Sequence, residues 1–171
     1  MRRIAVLTLA AALATSSAWA HPHAASAPAC SFSETEIWFG DGEGGGTAGH
    51  TYFPIEFSNV GHSACTLDGY PGVSAYSSSA QQVGAPATRV VSAHTVVTLA
   101  PHGTAHALLG IAEAGASCSA PVQAVGLTVY APGQHTSQGF EFGFPICSGG
   151  PSVLDIGPVR AGIGIPGYTS G

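Results

Sequence analysis

Phe53, Ile55 and Phe57 alternate with Tyr52, Pro54, Glu56 and Ser58. A period of two places the first set on one face of a strand and the second on the other. Pro54 has no N–H to give a ladder, which predicts an edge strand or a bulge there. The alternation recurs along the chain. Within 32–39, Ile37 and Phe39 oppose Trp38. Ala105, Ala107, Leu109 and Ile111 alternate with Thr104, His106, Leu108 and Gly110. Val125, Leu127 and Val129 oppose Thr128 and Tyr130, and Phe140, Phe142 and Phe144 alternate with Glu141 and Gly143. Apolar or β-branched runs at 73–76, 89–91, 95–99 and 153–159 add shorter strands. Turn formers separate them at 59–63, 77–81 and 101–103, and 113–119 reads as a loop. No segment beyond the first twenty residues has a helical period, and no internal repeat is evident. Seven to nine short strands with Gly and Pro turns predict one all-β domain, an immunoglobulin-like antiparallel β-sandwich.

The first twenty residues read differently. Arg2 and Arg3 precede an apolar run from Ile4 to Ala14, and Ala18-Trp19-Ala20 has the small-x-small form of a cleavage site. Residues 1–20 are thus expected to be a signal peptide. Cleavage after Ala20 would shorten 171 residues to 151. The next residues, 21–29, form an Ala-, Pro- and His-rich lead expected to be flexible. The domain is expected over 30–160, with 161–171 as a loose tail. Cys30 lies too far past the apolar core to be a lipid-attachment cysteine, and no later apolar run spans a bilayer. The reading is a soluble protein outside the cytosol.

Export changes how the charges and cysteines are read. The cleaved chain keeps Arg89 and Arg160 against nine carboxylates, a formal charge of −7. It has no lysine. Nucleic acid and anionic membrane both require a basic patch, so neither is expected as a partner. Four cysteines, Cys30, Cys65, Cys118 and Cys147, read as two disulfides in an exported chain. Three pairings are possible. Cys30–Cys65 and Cys118–Cys147 are preferred because each joins predicted neighbours in one half of the chain. Each such bridge would contribute about 3–4 kcal/mol through loop closure.

The most informative stretch is 49–73. After the alternating strand come a turn at 59–63, then Cys65, then Asp68-Gly69-Tyr70-Pro71-Gly72. Pro71 fixes its own φ and biases Tyr70 toward an extended conformation, which predicts a rigid corner built on Asn59, Gly69, Tyr70, Pro71 and Gly72. Asn59, Cys65, Leu67, Gly69, Tyr70, Pro71, Gly72 and Val73, with the later runs VGAPATR and VTLAPHGTAHALL, resemble the domain of unknown function 4232 family. Its members are exported proteins and lipoproteins, largely of actinobacteria. The resemblance runs from about Cys30 to about Val159 and implies an extracytoplasmic β-sandwich. It carries no catalytic residue, because the family has no established activity. This chain departs from the pattern at His102, where the family has glycine in a Pro-Gly-Gly turn.

Candidate chemistry is sparse. His50, His62, His94, His102, His106 and His135 are expected as scattered surface residues, since no three or four ligands converge in sequence as zinc requires. Cleavage would expose His21-Pro22-His23, and an amino-terminal histidine can chelate copper through its amine and ring. A copper protein using His21 and His23 is therefore the alternative reading. A hydrolase with an unidentified site is a further one, although no Gly-x-Ser-x-Gly elbow occurs. Glu34 and Glu36 share a predicted strand face, and Asp41 and Glu43 sit in a glycine loop; both pairs read as solvated. Trp38, Tyr52, Tyr70, Tyr76 and Tyr130 offer aromatic rings to a ligand, with Tyr70 packing a corner and Trp38 filling the core as the plainer account. The preferred reading is a monomeric, non-enzymatic binding module for an unknown envelope or extracellular ligand.

Overall fold

A computed structural model describes residues 26–39, 46–47 and 49–164. Its strands are β1 (Thr35–Phe39), β2 (Gly46–Thr47), β3 (His50–Asn59), β4 (Cys65–Leu67), β5 (Gly72–Tyr76), β6 (Gln82–Val83), β7 (Thr88–Arg89), β8 (Val97–Leu99), β9 (Thr104–Ala112), β10 (Pro121–Tyr130), β11 (Ser137–Cys147), β12 (Leu154–Ile156) and β13 (Arg160–Ala161). Among the described residues, helical structure is confined to a 3-10 turn at Phe32–Glu34 and one turn, α1, at Ala114–Ser117. One sheet runs β1-β3-β9-β12-β7, with β13 on β9 and β2 on β3. A second runs β11-β10-β5-β6, and β4 pairs with β8. Every pairing between these strands is antiparallel except β12 with β7.

The two larger sheets close on one core. Ile37, Ile55, Phe57, Leu109, Leu154 and Ile156 come from the first, and Val73, Leu127, Val129, Phe144 and Ile146 from the second. Burying a side chain of this size contributes about 1.5–3 kcal/mol. Ala105 and Ala107 on β9 stand opposite Phe57 and Ile55 on β3, so small residues make room for large ones. The disulfides are Cys30–Cys65 and Cys118–Cys147, the preferred pairing. The first ties the chain start to β4, and the second ties the residue after α1 to the end of β11.

Several local expectations change. The strand carrying Pro54 is internal, flanked by β9 on one side and by β1 and β2 on the other. Pro54 itself falls in a gap, because β1 ends opposite Ile55 and β2 begins opposite Thr51. The Asn59 N–H points to Gly103 O on the β9 side. Alternation from there turns the Pro54 nitrogen toward the gap, where no donor is needed. On β10 the register shifts between Ala124 and Gly126, so Ala124 enters the core while Val125 is 37% exposed. Val90 and Val91 leave the sheet and stand exposed. Trp38 lies on the outer face of β1, its Nε1–H donated to Ser58 Oγ at 3.0 Å, and does not fill the core.

Among the described residues, 28–29 and 160–162 are hydrogen-bonded to the domain. Ala29 bridges to Thr66, and the Thr66 N–H donates to Pro28 O at 2.8 Å. Arg160 and Ala161 pair with His106 and Ala105, and the Gly162 N–H donates to Thr104 O at 3.0 Å. Residues 160–161 thus extend the first sheet beside β9, and 162–164 form a strap over the outward side chains of His106 and Glu56. The expected signal peptide, His21 and His23, Asp41 and Glu43, and residues 165–171 lie outside the described residues.

Candidate functional site

Asn59 and Tyr70 anchor two different segments. The Asn59 side-chain amide donates to Ser63 O at 2.8 Å, Leu99 O at 3.1 Å and Ala100 O at 3.2 Å, and its Oδ1 accepts the Gly61 N–H at 2.9 Å. Tyr70 anchors the segment after β7: its hydroxyl donates to Val90 O at 3.0 Å and accepts the Ser92 N–H at 3.2 Å. Arg89 lies over the Tyr70 ring and His94 meets the ring edge-on. Gly69 takes a φ of 92°, Pro71 is buried, and Gly72 opens β5. Asn59 and Tyr70 thus spend their polar groups on backbone elsewhere in the fold.

The histidines do not gather. Among the described residues, no three His, Cys, Asp or Glu side chains could hold a metal ion. His50 Nε2 lies 3.7 Å from Asp155, and His94 Nε2 lies 3.8 Å from Asp68. His106 overturns the surface expectation: it is 3% exposed, beneath the strap. Glu34 and Glu36 do not share a strand face, although both are exposed. Glu34 sits in the 3-10 turn and accepts from Ser31 Oγ at 2.8 Å, while Glu36 is exposed on β1.

Two concave regions stand out. One, of about 260 Å³, is apolar and lined by Phe53, Ile111, Ala114, Phe142, Phe144 and Pro145. The other, of about 230 Å³, lies on the outer face of the second sheet and is lined by Ser74, Ala75, Tyr76, Ala80, Gln82, Thr128 and Tyr130. Among the described residues, no charged side chain lines it. Its residues follow from strand alternation. Val73 and Ala75 point into the core from β5, so Gly72, Ser74 and Tyr76 face outward. Leu127 and Val129 do the same for Gly126, Thr128 and Tyr130 on β10.

The register then sets these outward residues against one another. Gly72 stands opposite Tyr130, Ser74 opposite Thr128, and Tyr76 opposite Gly126. Each tyrosine leans on the glycine across from it. A Cβ on Gly126 would collide with Tyr76 Oη and Cζ, and one on Gly72 would touch Tyr130 at 3.4 Å. Tyr76 is fixed further by donating its hydroxyl to Phe140 O at 3.1 Å. The result is two rings at the ends of a low hydroxyl floor. Four residues of strand separate the rows that hold them, about 13 Å.

Trp38, Tyr52 and Tyr70, the other rings expected to meet a ligand, lie away from this groove. Sequence reading singles out Tyr76 and Tyr130 and misses Ser74, Gln82, Thr128 and Gly126. A signal is present. Gly72-Val73-Ser74-Ala75-Tyr76 and Gly126-Leu127-Thr128-Val129-Tyr130 share one pattern of glycine, apolar, hydroxyl, apolar, tyrosine. Paired antiparallel in the observed register, two copies of that pattern bring each tyrosine onto the other's glycine. The expectation of no internal repeat overlooks this short echo.

Residues 30–160 match the model of a family described as a domain of unknown function, DUF4232. No curated protein and no solved structure matches the chain.

Proposed function

The chain belongs to the DUF4232 family, a domain of unknown function, and on that footing we propose that it is a secreted, non-enzymatic binding module at or outside the cell envelope. The observation that carries this reading is the uncharged groove between Tyr76 and Tyr130, a concave face lined without carboxylate, histidine or cysteine. Two disulfides support a location outside the cytosol, as does the amino-terminal leader pattern. No helix among the described residues is long and apolar enough to cross a membrane. The polar groups of the corner are committed to the fold: Asn59 and Tyr70 each spend their hydrogen bonds on neighbouring backbone.

The test is co-sedimentation of the purified, oxidised chain with isolated envelope material and with soluble envelope proteins. Saturable binding that weakens in Tyr130→Ala is the expected outcome. No binding to any fraction would overturn the reading.

A further inference from the structure

The groove also names the chemistry of its occupant. Resting on the binding role above, we propose that it takes a neutral, hydroxyl-rich polymer, a glycan without acidic groups.

Four observations lead there. First, the lining offers aromatic faces, hydroxyls and one carboxamide, from Tyr76, Tyr130, Ser74, Thr128 and Gln82, and no charge. Rings of this kind stack on the C–H faces of sugars, while hydroxyls and amides exchange hydrogen bonds with sugar hydroxyls. Second, one ring is fixed before any ligand arrives. Tyr76 is seated on Gly126 and hydrogen-bonded to Phe140 O, and Tyr130 rests against Gly72. A preset ring loses little entropy on binding. Third, each end carries a ring. A tyrosine stands across from a glycine at both, with Ser74 and Thr128 between, so an elongated ligand that spans the groove can stack at both ends. Fourth, the nearby charge is acidic. Glu141 occupies the register position beyond Gly126 on β11 and is exposed, so an anionic polymer would meet repulsion. A peptide strand would add along a sheet edge, whereas this groove lies on the outer face of β5, β6 and β10.

The experiment is affinity electrophoresis and calorimetric titration of the oxidised chain with neutral polysaccharides (a glucan, a mannan and a galactan), with an acidic polyuronate as comparison. The expected result is retardation by at least one neutral polymer and none by the polyuronate. Tyr130→Ala should weaken binding by about tenfold or more, which is about 1.4 kcal/mol. Tyr76→Phe keeps the ring and should retain most of the affinity. Tyr130 is already 36% exposed, so its removal leaves the core intact, and a matching thermal transition will verify that. Retardation by no neutral polymer, or equal retardation of parent and Tyr130→Ala, would overturn the glycan assignment. If envelope material still binds the chain in either case, the binding role survives and only the glycan is lost.

Discussion

Glu56 on β3 and His106 on β9 are register partners across the first sheet, and both are buried, at 1% and 3% exposure. Each holds the C-terminal strap by one atom. Glu56 Oε1 accepts the Gly164 N–H at 2.8 Å, and His106 Nδ1 donates to Gly162 O at 2.9 Å. The other Glu56 oxygen is buried with no hydrogen-bond partner among the described residues. Such an oxygen carries a desolvation cost that a neutral side chain would not.

Burial raises the Glu56 carboxyl above its ordinary pKa of 4.5, against the opposing pull of the Gly164 N–H and His106. The folded state therefore holds this proton more tightly than the unfolded chain. Its contribution to stability is greatest below pH 4.5 and declines as pH rises through the folded value. Glu56→Gln keeps an acceptor for Gly164 and removes the charge. It should raise the melting temperature at pH 8 more than at pH 4, in thermal unfolding followed by circular dichroism. Glu56→Ala should lower it at both. Asp155 is also raised by burial, with His50 opposing, so some slope of the same sign will remain in Glu56→Gln. A gain from Glu56→Gln over the parent that is no larger at pH 8 than at pH 4 would contradict the argument.

Glu56 also marks where sequence stops being informative. Alternation places Phe53, Ile55 and Phe57 inward and Glu56 outward, and the strand obeys it. Alternation assigns a face, however, and says nothing about what covers the face. The cover is residues 162–164, about 100 positions further along the chain, and a glycine-rich segment carries no pattern that points to β9. The disulfide pairing is legible because the cysteines fall in two halves. The groove is half legible: its tyrosines are visible one by one, while their seating on glycines depends on the register of β5 with β10, which strand composition does not encode.

Asn59 serves four backbone groups with one buried amide. Asn59→Asp preserves shape but turns a donor into an oxygen that faces three carbonyls. The variant should lose about 2–4 kcal/mol at pH 7, the cost of leaving buried polar groups unpaired. At pH 4 part of that loss should return, because a protonated carboxyl can donate to one of the carbonyls. Denaturant titrations at the two pH values would measure it. A loss that is the same at both, or larger at pH 4, would count against this role for the amide.

His102, where the resemblance leads one to expect glycine, has a φ of 64°. The Gly103 N–H donates to Ala100 O at 2.8 Å, which makes His102 the third residue of a tight turn that favours positive φ there. A side chain in that region costs about 1 kcal/mol or more. His102→Gly should recover roughly 0.5–1 kcal/mol after the greater freedom of glycine in the unfolded chain is charged against it. His102→Ala should recover none. Equal denaturation midpoints for the parent and the glycine variant would show that the turn bears no strain.

Gly72 and Gly126 take equivalent places in the five-residue pattern, yet their substitution should not be equivalent. A Cβ on Gly72 meets only the Tyr130 side chain, at 3.4 Å and beyond, which is ordinary contact. Tyr130 is partly exposed and can tilt away. A Cβ on Gly126 meets the Tyr76 ring and also Phe140 O, a backbone atom of the paired strand. Tyr76 can move only by giving up its hydrogen bond to Phe140 O, and the backbone cannot move without disturbing β11. Gly126→Ala should therefore cost about 1–3 kcal/mol, as overpacking does. Gly72→Ala should stay within about 0.5 kcal/mol of the parent. Adding Tyr76→Ala to Gly126→Ala should restore only part of the loss, because the clash with Phe140 O persists. Urea midpoints of the three variants decide the matter: full recovery in the double variant would mean that the ring alone, and not the strand behind it, excludes a side chain at position 126.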